Sequence, residues 1–208
     1  MKRVQGSATS VNDDMNAPAL VPAGPGSLLA RAGGREARLV RQAQRGSAEA
    51  LEALFRREWP RAYRAAYLVV HDAAAAEDIA QEAFLAAVRA LDRFDRRRPF
   101  GPWMHRIVVN RAIDAARARS LRRELETRAA GAAETTTGPE PPAAPFSDEL
   151  VAALRELSPE HRAVVALRYL LDYTPGEIAR ALELPRGTVN SRLRRALDRL
   201  APLLEERP

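Results

Sequence analysis

The stretch Thr174-Pro175-Gly176-Glu177-Ile178-Ala179-Arg180-Ala181-Leu182-Glu183-Leu184-Pro185-Arg186-Gly187-Thr188-Val189-Asn190-Ser191-Arg192 contains two helix starts in quick succession. Thr174 and Glu177 have the spacing of a capping box, with Pro175 at the first helical position, so a helix begins there. Glu183-Leu184-Pro185 breaks it, and a last helix follows from about Arg186 with Val189, Leu193, Leu197 and Leu200 on one stripe. Two short helices joined by a tight turn, the second strongly basic, predict a helix-turn-helix. Opposite the stripe stand Arg186, Thr188, Asn190, Ser191, Arg192, Arg194, Arg195 and Arg199. Arginine forks match guanine edges and phosphates, and Asn and Ser can bond base edges. A merely solvated face interleaves acids for i, i+4 pairing, yet from Arg186 to Arg199 five Arg face a single Asp.

Working outward, residues 1–33 mix Ser, Asn, Asp, Gly and Pro without a period and read as a disordered arm. Residues 127–146 hold four prolines and read as a flexible linker. Between them, 34–126 carries helical periods only. Ser47 can cap a helix bearing Leu51, Leu54, Phe55, Trp59, Ala62, Ala66 and Val69. Asp72 can cap one bearing Ala80, Phe84, Val88 and Leu91, and Pro102 suits the first turn of a third that ends near Arg123. In 147–208, Ser147 caps one helix and Ser158-Pro159 starts another. The expected fold is all-α: two small helical domains joined by a flexible linker, the C-terminal one a helix-turn-helix. Fully extended, the 20 residues of the linker reach at most about 70 Å.

Composition narrows the chemistry. The 208 residues contain no cysteine, which excludes disulfides, thiolate metal sites and cysteine nucleophiles. Three histidines, His71, His105 and His161, lie far apart, which disfavours a His-based metal site or triad. No catalytic centre, metal or cofactor is expected. No apolar run approaches the roughly 20 residues that span a bilayer, and the start lacks the apolar core of a secretion signal, so the expectation is a cytoplasmic protein with no membrane partner.

Within 34–126 charge is sharply divided. From His71 to Val88 there are four acids, Asp72, Glu77, Asp78 and Glu82, and no base; from Arg89 to Glu124 there are eleven Arg against four acids. Such segregation lets one domain show an acidic face to a protein and a basic face to nucleic acid. Asp78, Gln81, Glu82 and Leu85 lie off the Ala80, Phe84, Val88 stripe, where a protein contact is expected. Phe94, Phe100 and Trp103 lie among Arg93, Arg96, Arg97, Arg98 and Arg106, the mixture of rings and cations that suits unpaired bases. Phe94 and Trp103 serve equally well as core. The loop from Arg93 to Gly101 is the better base pocket, because its arginines are costly to bury.

Three motifs, in order, resemble a bacterial RNA polymerase sigma factor of the extracytoplasmic-function (ECF) group of the sigma-70 family. They are Ala76-Glu77-Asp78-Ile79-Ala80-Gln81-Glu82-Ala83-Phe84; the stretch from Arg93-Phe94 through Pro102-Trp103-Met104-His105-Arg106-Ile107-Val108-Val109-Asn110; and Leu157-Ser158-Pro159-Glu160-His161-Arg162 with Gly176-Glu177-Ile178-Ala179 and Arg186-Gly187-Thr188-Val189-Asn190-Ser191-Arg192. The resemblance implies a sigma region 2-like domain over 34–126 and a region 4-like domain over 147–208. It implies that Asp78, Gln81 and Glu82 dock on the clamp of the polymerase largest subunit. The Arg93 to Gly101 loop, with Arg106, Asn110 and Arg111, would capture a flipped base of the nontemplate −10 element. Asn190, Ser191, Arg194 and Arg195 would read the −35 duplex while a flap of the second-largest subunit holds that domain. Trp103-Met104 stands where primary sigma factors keep two adjacent Trp. An anti-sigma partner is a further expectation of the resemblance.

Two rivals make different demands. A stand-alone helix-turn-helix regulator would bind a palindromic duplex tightly without polymerase. A metal-dependent nuclease using Asp72, Glu77 and Asp78 would need ligands converging from more than one element, and the sequence offers none.

Overall fold

The computed structural model describes residues 28–130 and 146–205, with side chains over 34–126 and 146–203. Among the described residues there are eight α-helices and no strand: α1 Leu28–Ala43, α2 Ala48–Val70, α3 Ala73–Ala90, α4 Phe100–Ala130, α5 Asp148–Arg155, α6 Pro159–Val165, α7 Pro175–Ala181 and α8 Arg186–Glu205. A 3-10 turn, Leu91–Arg93, precedes the basic loop, and a π-helical turn, Ala166–Leu170, extends α6.

The expected caps are formed. Ser47 Oγ accepts the Ala50 N–H at 3.2 Å, Asp72 Oδ1 the Ala75 N–H at 2.9 Å, and Ser147 and Ser158 accept from Leu150 and His161. At α7 both halves of the capping box are made: Thr174 Oγ1 takes the Glu177 N–H and Glu177 Oε2 takes the Thr174 N–H. Each cap answers backbone donors that the first turn leaves open.

Helix α1 departs from the expected arm, since it starts at Leu28, six residues inside the 1–33 stretch. Gly33-Gly34 hides its period, but Val40, with Leu39 and Ala43 beside it, packs onto the N-terminal core and stabilises the helix from outside. The third expected helix also shifts: α4 begins at Phe100 rather than Pro102 and runs to Ala130, so the first residues assigned to the linker are helical. The rest of that linker, 131–145, and the arm before Leu28 lie outside the described residues.

Helices α2, α3 and α4 enclose the N-terminal core of Leu54, Ala62, Ala66, Val69, Ala80, Phe84, Met104, Val108 and Ala112. That core does not end there. Tyr67 stacks on Phe146 with ring centroids 6.4 Å apart, and Arg64 lies over the same ring. The Arg162 guanidinium donates to the carbonyls of Leu154, Leu157 and Arg155 within its own half and, at 2.6 Å, to Val69 at the end of α2. One guanidinium thus satisfies four backbone acceptors on both sides of the seam, each charge-assisted and so stronger than a neutral bond.

Candidate nucleic-acid interface and docking face

Helix α3 buries Ala76, Ile79, Ala80, Ala83, Phe84 and Ala87 and turns Asp78, Gln81, Glu82 and Leu85 outward. Leu85 is 53% exposed, an apolar side chain set among acids. Gln81 Nε2 donates to Glu77 Oε1 one turn back, which steadies the face. Asp72 does not join it, because its carboxylate caps α3 and lies 3.4 Å from Arg119.

The 3-10 turn exposes Arg93, and the loop after it exposes the five residues Asp95–Pro99. Asp95 organises it: Oδ1 accepts the backbone N–H of Arg97 at 3.0 Å and its guanidinium at 3.1 Å. The Arg97 side chain and backbone hold the Asp95 carboxyl below the usual carboxylate range. Arg93, Phe94, Asp95, Arg98 and Trp103 line a small cleft beside the loop, so two exposed cations and an indole share one recess. Phe100 is a correction. It is 2% exposed, packed edge-on against Phe94 and tilted against Trp103, and it offers no face to a base. Phe94 is core as well, while Trp103 is half-buried over both. Nothing in the spacing separates rings that support the loop from a ring that lines it.

Farther along α4 the candidate residues are already engaged. Arg111 Nη1 pairs with Glu82 at 2.9 Å, which joins the basic helix to the acidic face. Arg106 pairs with Glu183, the left-handed residue in the turn between α7 and α8. Asn110 lines a cleft between α4 and the helix-turn-helix, together with Arg117, Glu160, Leu184 and Arg192.

On α8 the inward stripe is Val189, Leu193, Ala196 and Leu200, whereas Leu197, expected inside, is 42% exposed. Arg186, Asn190, Ser191, Arg194 and Arg195 are exposed, and Thr188 and Arg192 half-buried. Ser191 Oγ donates to the Thr188 carbonyl and Arg194 lies 3.8 Å from Asp198; among the described residues Arg186, Arg195 and Arg199 have no carboxylate within 4 Å. The helix therefore holds uncompensated positive charge, the condition for phosphate contact.

Several polar groups inside the molecule escaped the sequence reading. Glu58 is 1% exposed, with Arg57 at 3.1 Å and His105 Nε2 at 3.3 Å. Burial pushes its carboxyl up, but the contact with His105 and the charges of His105, Arg57 and Arg61 outweigh that and leave it below the usual value. His105 Nδ1 meets the Tyr173 hydroxyl at 3.0 Å, a contact between the two halves, and Tyr173 is pushed well up by burial and by the Glu58 and Glu177 charges. The available signal was Leu54, Glu58 and Ala62 at i, i+4, i+8, an acid in the middle of an apolar stripe.

Residues 54–122 match the family Sigma-70 region 2, and residues 147–200 match Sigma-70, region 4. The chain is 30% identical over 178 residues to the ECF RNA polymerase sigma factor SigW of Bacillus subtilis, covering 80% of this chain and 95% of that protein. It is 33% identical over 187 residues to the RNA polymerase sigma-H factor of Pseudomonas aeruginosa, covering 83% of this chain and 97% of that protein. Among solved structures, CnrH in complex with the cytosolic domain of CnrY matches with a TM-score of 0.63 and 27% identity, over 84% of this chain and 99% of CnrH. The sigma factor RpoE of Bartonella quintana, in complex with the anti-sigma factor NepR, shares the fold at a TM-score of 0.59 and 21% identity, over 76% of this chain and 98% of RpoE. With both regions present in order and nearly the full length of these relatives spanned, the chain belongs to the ECF group of the sigma-70 family, the factors that direct bacterial RNA polymerase to promoters.

Proposed function

We propose that this sigma factor works through three surfaces without a catalytic centre of its own, in the cytoplasm where its polymerase acts. The outward face of α3, Asp78, Gln81, Glu82 and Leu85, docks on the largest-subunit clamp. The Arg93–Pro99 loop and the cleft beside it, with Trp103 as the ring, take an unpaired nontemplate base of the −10 element, while Arg96, Arg97, Arg106, Asn110 and Arg111 hold the strand. Helix α8 reads the −35 duplex through Asn190, Ser191, Arg194 and Arg195, with Arg186, Thr188 and Arg192 at its flanks, while the second-largest-subunit flap holds the region 4 unit. The observation that carries the reading is the separation, within one small helical body, of an exposed acidic face from an exposed arginine loop.

The energies are of the right size. Opening duplex costs about 1.4 kcal/mol per base-pair step. Stacking one base on an aromatic ring returns about 1 to 3 kcal/mol, so one captured base offsets one or two steps and polymerase contacts supply the remainder. Elements centred near −10 and −35 are about 25 base pairs apart, roughly 85 Å along the duplex, whereas Asn110 and Arg192 line one cleft here. The seam closed by Arg162, His105–Tyr173 and Arg106–Glu183 must therefore part before both elements are read, which frees Arg106 for the strand. CnrH was solved with the cytosolic domain of CnrY bound, and for this chain we propose a protein partner of the anti-sigma class.

The test is reversal of the docking face. Asp78→Arg/Glu82→Arg lowers affinity for core polymerase at least tenfold and abolishes specific starts in run-off transcription, with thermal stability retained. Unchanged binding to core polymerase would remove α3 from the docking role.

A further inference from the structure

We propose that helix α1, which precedes the region 2 match, sets the shape of the −10 loop: the Gln44 carboxamide and the Glu36 carboxylate pin its two ends and are positioning residues for base capture. This rests on the reading of that loop as the capture element.

The two anchors are independent contacts at opposite ends of one exposed segment. At the entrance, Gln44 Nε2 donates to the carbonyl of Leu91 at 2.8 Å and to that of Phe94 at 3.1 Å, bracketing the 3-10 turn. At the exit, Glu36 Oε1 accepts the backbone N–H of Phe100, the first residue of α4, at 2.5 Å. A carboxylate from another helix thus supplies the N-terminal cap that Pro99 cannot, and it does so at the positive end of the helix dipole. Glu36 is itself 7% exposed and fixed, since its other oxygen lies 2.8 Å from Arg57, which also reaches Glu58 at 3.1 Å. Glu36 lies on α1 and Gln44 directly follows its last residue, its N–H bonding the Val40 carbonyl; the two are eight residues apart, roughly 12 Å along a helix axis, so α1 and its C-terminal cap hold the two ends of the loop at a set separation. Between Phe94 and Phe100 the five residues Asp95–Pro99 are all exposed, and the bonds within them, Arg97 to Asp95 and the Arg98 N–H to the Asp95 carbonyl, are local. The loop can then present Arg93 and Arg98 beside Trp103 without paying for ordering when DNA arrives, the advantage of a preorganised site.

Holoenzyme carrying the full chain is tested on a fork-junction DNA with a single-stranded nontemplate −10 segment, taken from a promoter selected by run-off transcription with the parent protein. A blunt duplex of the same −35 element is the control. Glu36→Ala and Gln44→Ala each weaken fork binding about tenfold and leave the duplex control and core-polymerase affinity within twofold. Glu36→Gln regains most of the loss, because its amide oxygen still accepts the Phe100 N–H although the charge that pairs with Arg57 is gone; a purely structural ion pair is not rescued this way. Should Glu36→Ala fold poorly, Gln44→Ala, at the half-buried position just after α1, provides the same comparison. The proposal is overturned if the variants keep the parent ratio of fork to duplex affinity. If the parent holoenzyme itself shows no preference for the fork, the capture role of the loop fails instead, a result distinct from equal binding by parent and variants.

Discussion

The Arg93–Pro99 loop and helix α8 both crowd arginines onto an exposed surface, yet they are held by opposite means. Helix α8 follows from neighbours in sequence: a turn ending in Pro185, and an inward stripe of Val189, Leu193, Ala196 and Leu200. The loop takes its shape from residues about fifty and sixty positions away, Gln44 and Glu36, and from a buried carboxylate, Glu58, under its exit. Charge pairing does not separate them: among the described ion pairs the loop contributes only Arg97 and α8 only Arg194. A locally coded element keeps its shape by itself, whereas a remotely coded one is set by the rest of its domain and responds to changes there.

The two regions meet at a seam, and the largest expected effect comes from titrating it. His71 ends α2 in the left-handed conformation, with both ring nitrogens buried beside the Leu154 backbone. Burial, then the charges of Arg162 and Arg155, push its pKa down to about 3. A histidine whose folded value is depressed contributes its full stability above the unfolded value of about 6.5 and loses it as pH falls toward 3, because only the unfolded chain takes the proton. At about 1.4 kcal/mol per pH unit, the parent loses about 2 kcal/mol between pH 7 and pH 5 that His71→Asn retains, asparagine being at ease in the left-handed region. Urea midpoints at the two pH values measure the difference; parallel profiles would mean that the imidazole is not held neutral at the seam.

Next in size is a paired glycine substitution. A Cβ on Gly101 would lie 3.1 Å from Glu58 Oε2, and that carboxylate, fixed by Arg57 and His105, has nowhere to retreat. Gly101→Ala is expected to cost about 1 to 2 kcal/mol and to weaken fork-junction binding, with the −35 duplex unaffected. A Cβ on Gly187, near the start of α8, meets nothing within 4 Å. Gly187→Ala stabilises by about 0.5 kcal/mol, since alanine gives up less backbone freedom in a helix. Thermal unfolding of both variants checks the signs, and a stable Gly101→Ala would show that the loop exit is looser than its contacts.

The same contrast explains what could be read from the sequence. The caps at Ser47, Asp72, Ser147, Ser158 and Thr174 were legible because each is a rule between residues two or three apart, and the arginine surfaces because exposure follows from the cost of burying charge. The burial of Phe100, the partner of Glu58 and the anchoring of the loop were not, because each depends on which helices meet. Helix α1 was missed for a related reason: Gly33-Gly34 lowers its own propensity, and packing against α2 supplies what the sequence withholds.

The smallest effect is the one that isolates local coding. Thr174→Ala removes the hydroxyl that takes the Glu177 N–H but leaves Glu177 Oε2 free to accept the N–H of residue 174, so half of the capping box survives. The loss should be about 1 kcal/mol, largely restored by Thr174→Ser. It falls on α7, while α8 starts from its own turn, where the Thr188 and Val189 N–H groups bond the Pro185 carbonyl. Affinity for a −35 duplex, measured alongside urea unfolding, should therefore change less than threefold. A tenfold loss of duplex binding at the same modest cost in stability would mean that α8 is aimed through α7, and that the recognition helix, like the loop, depends on structure outside itself.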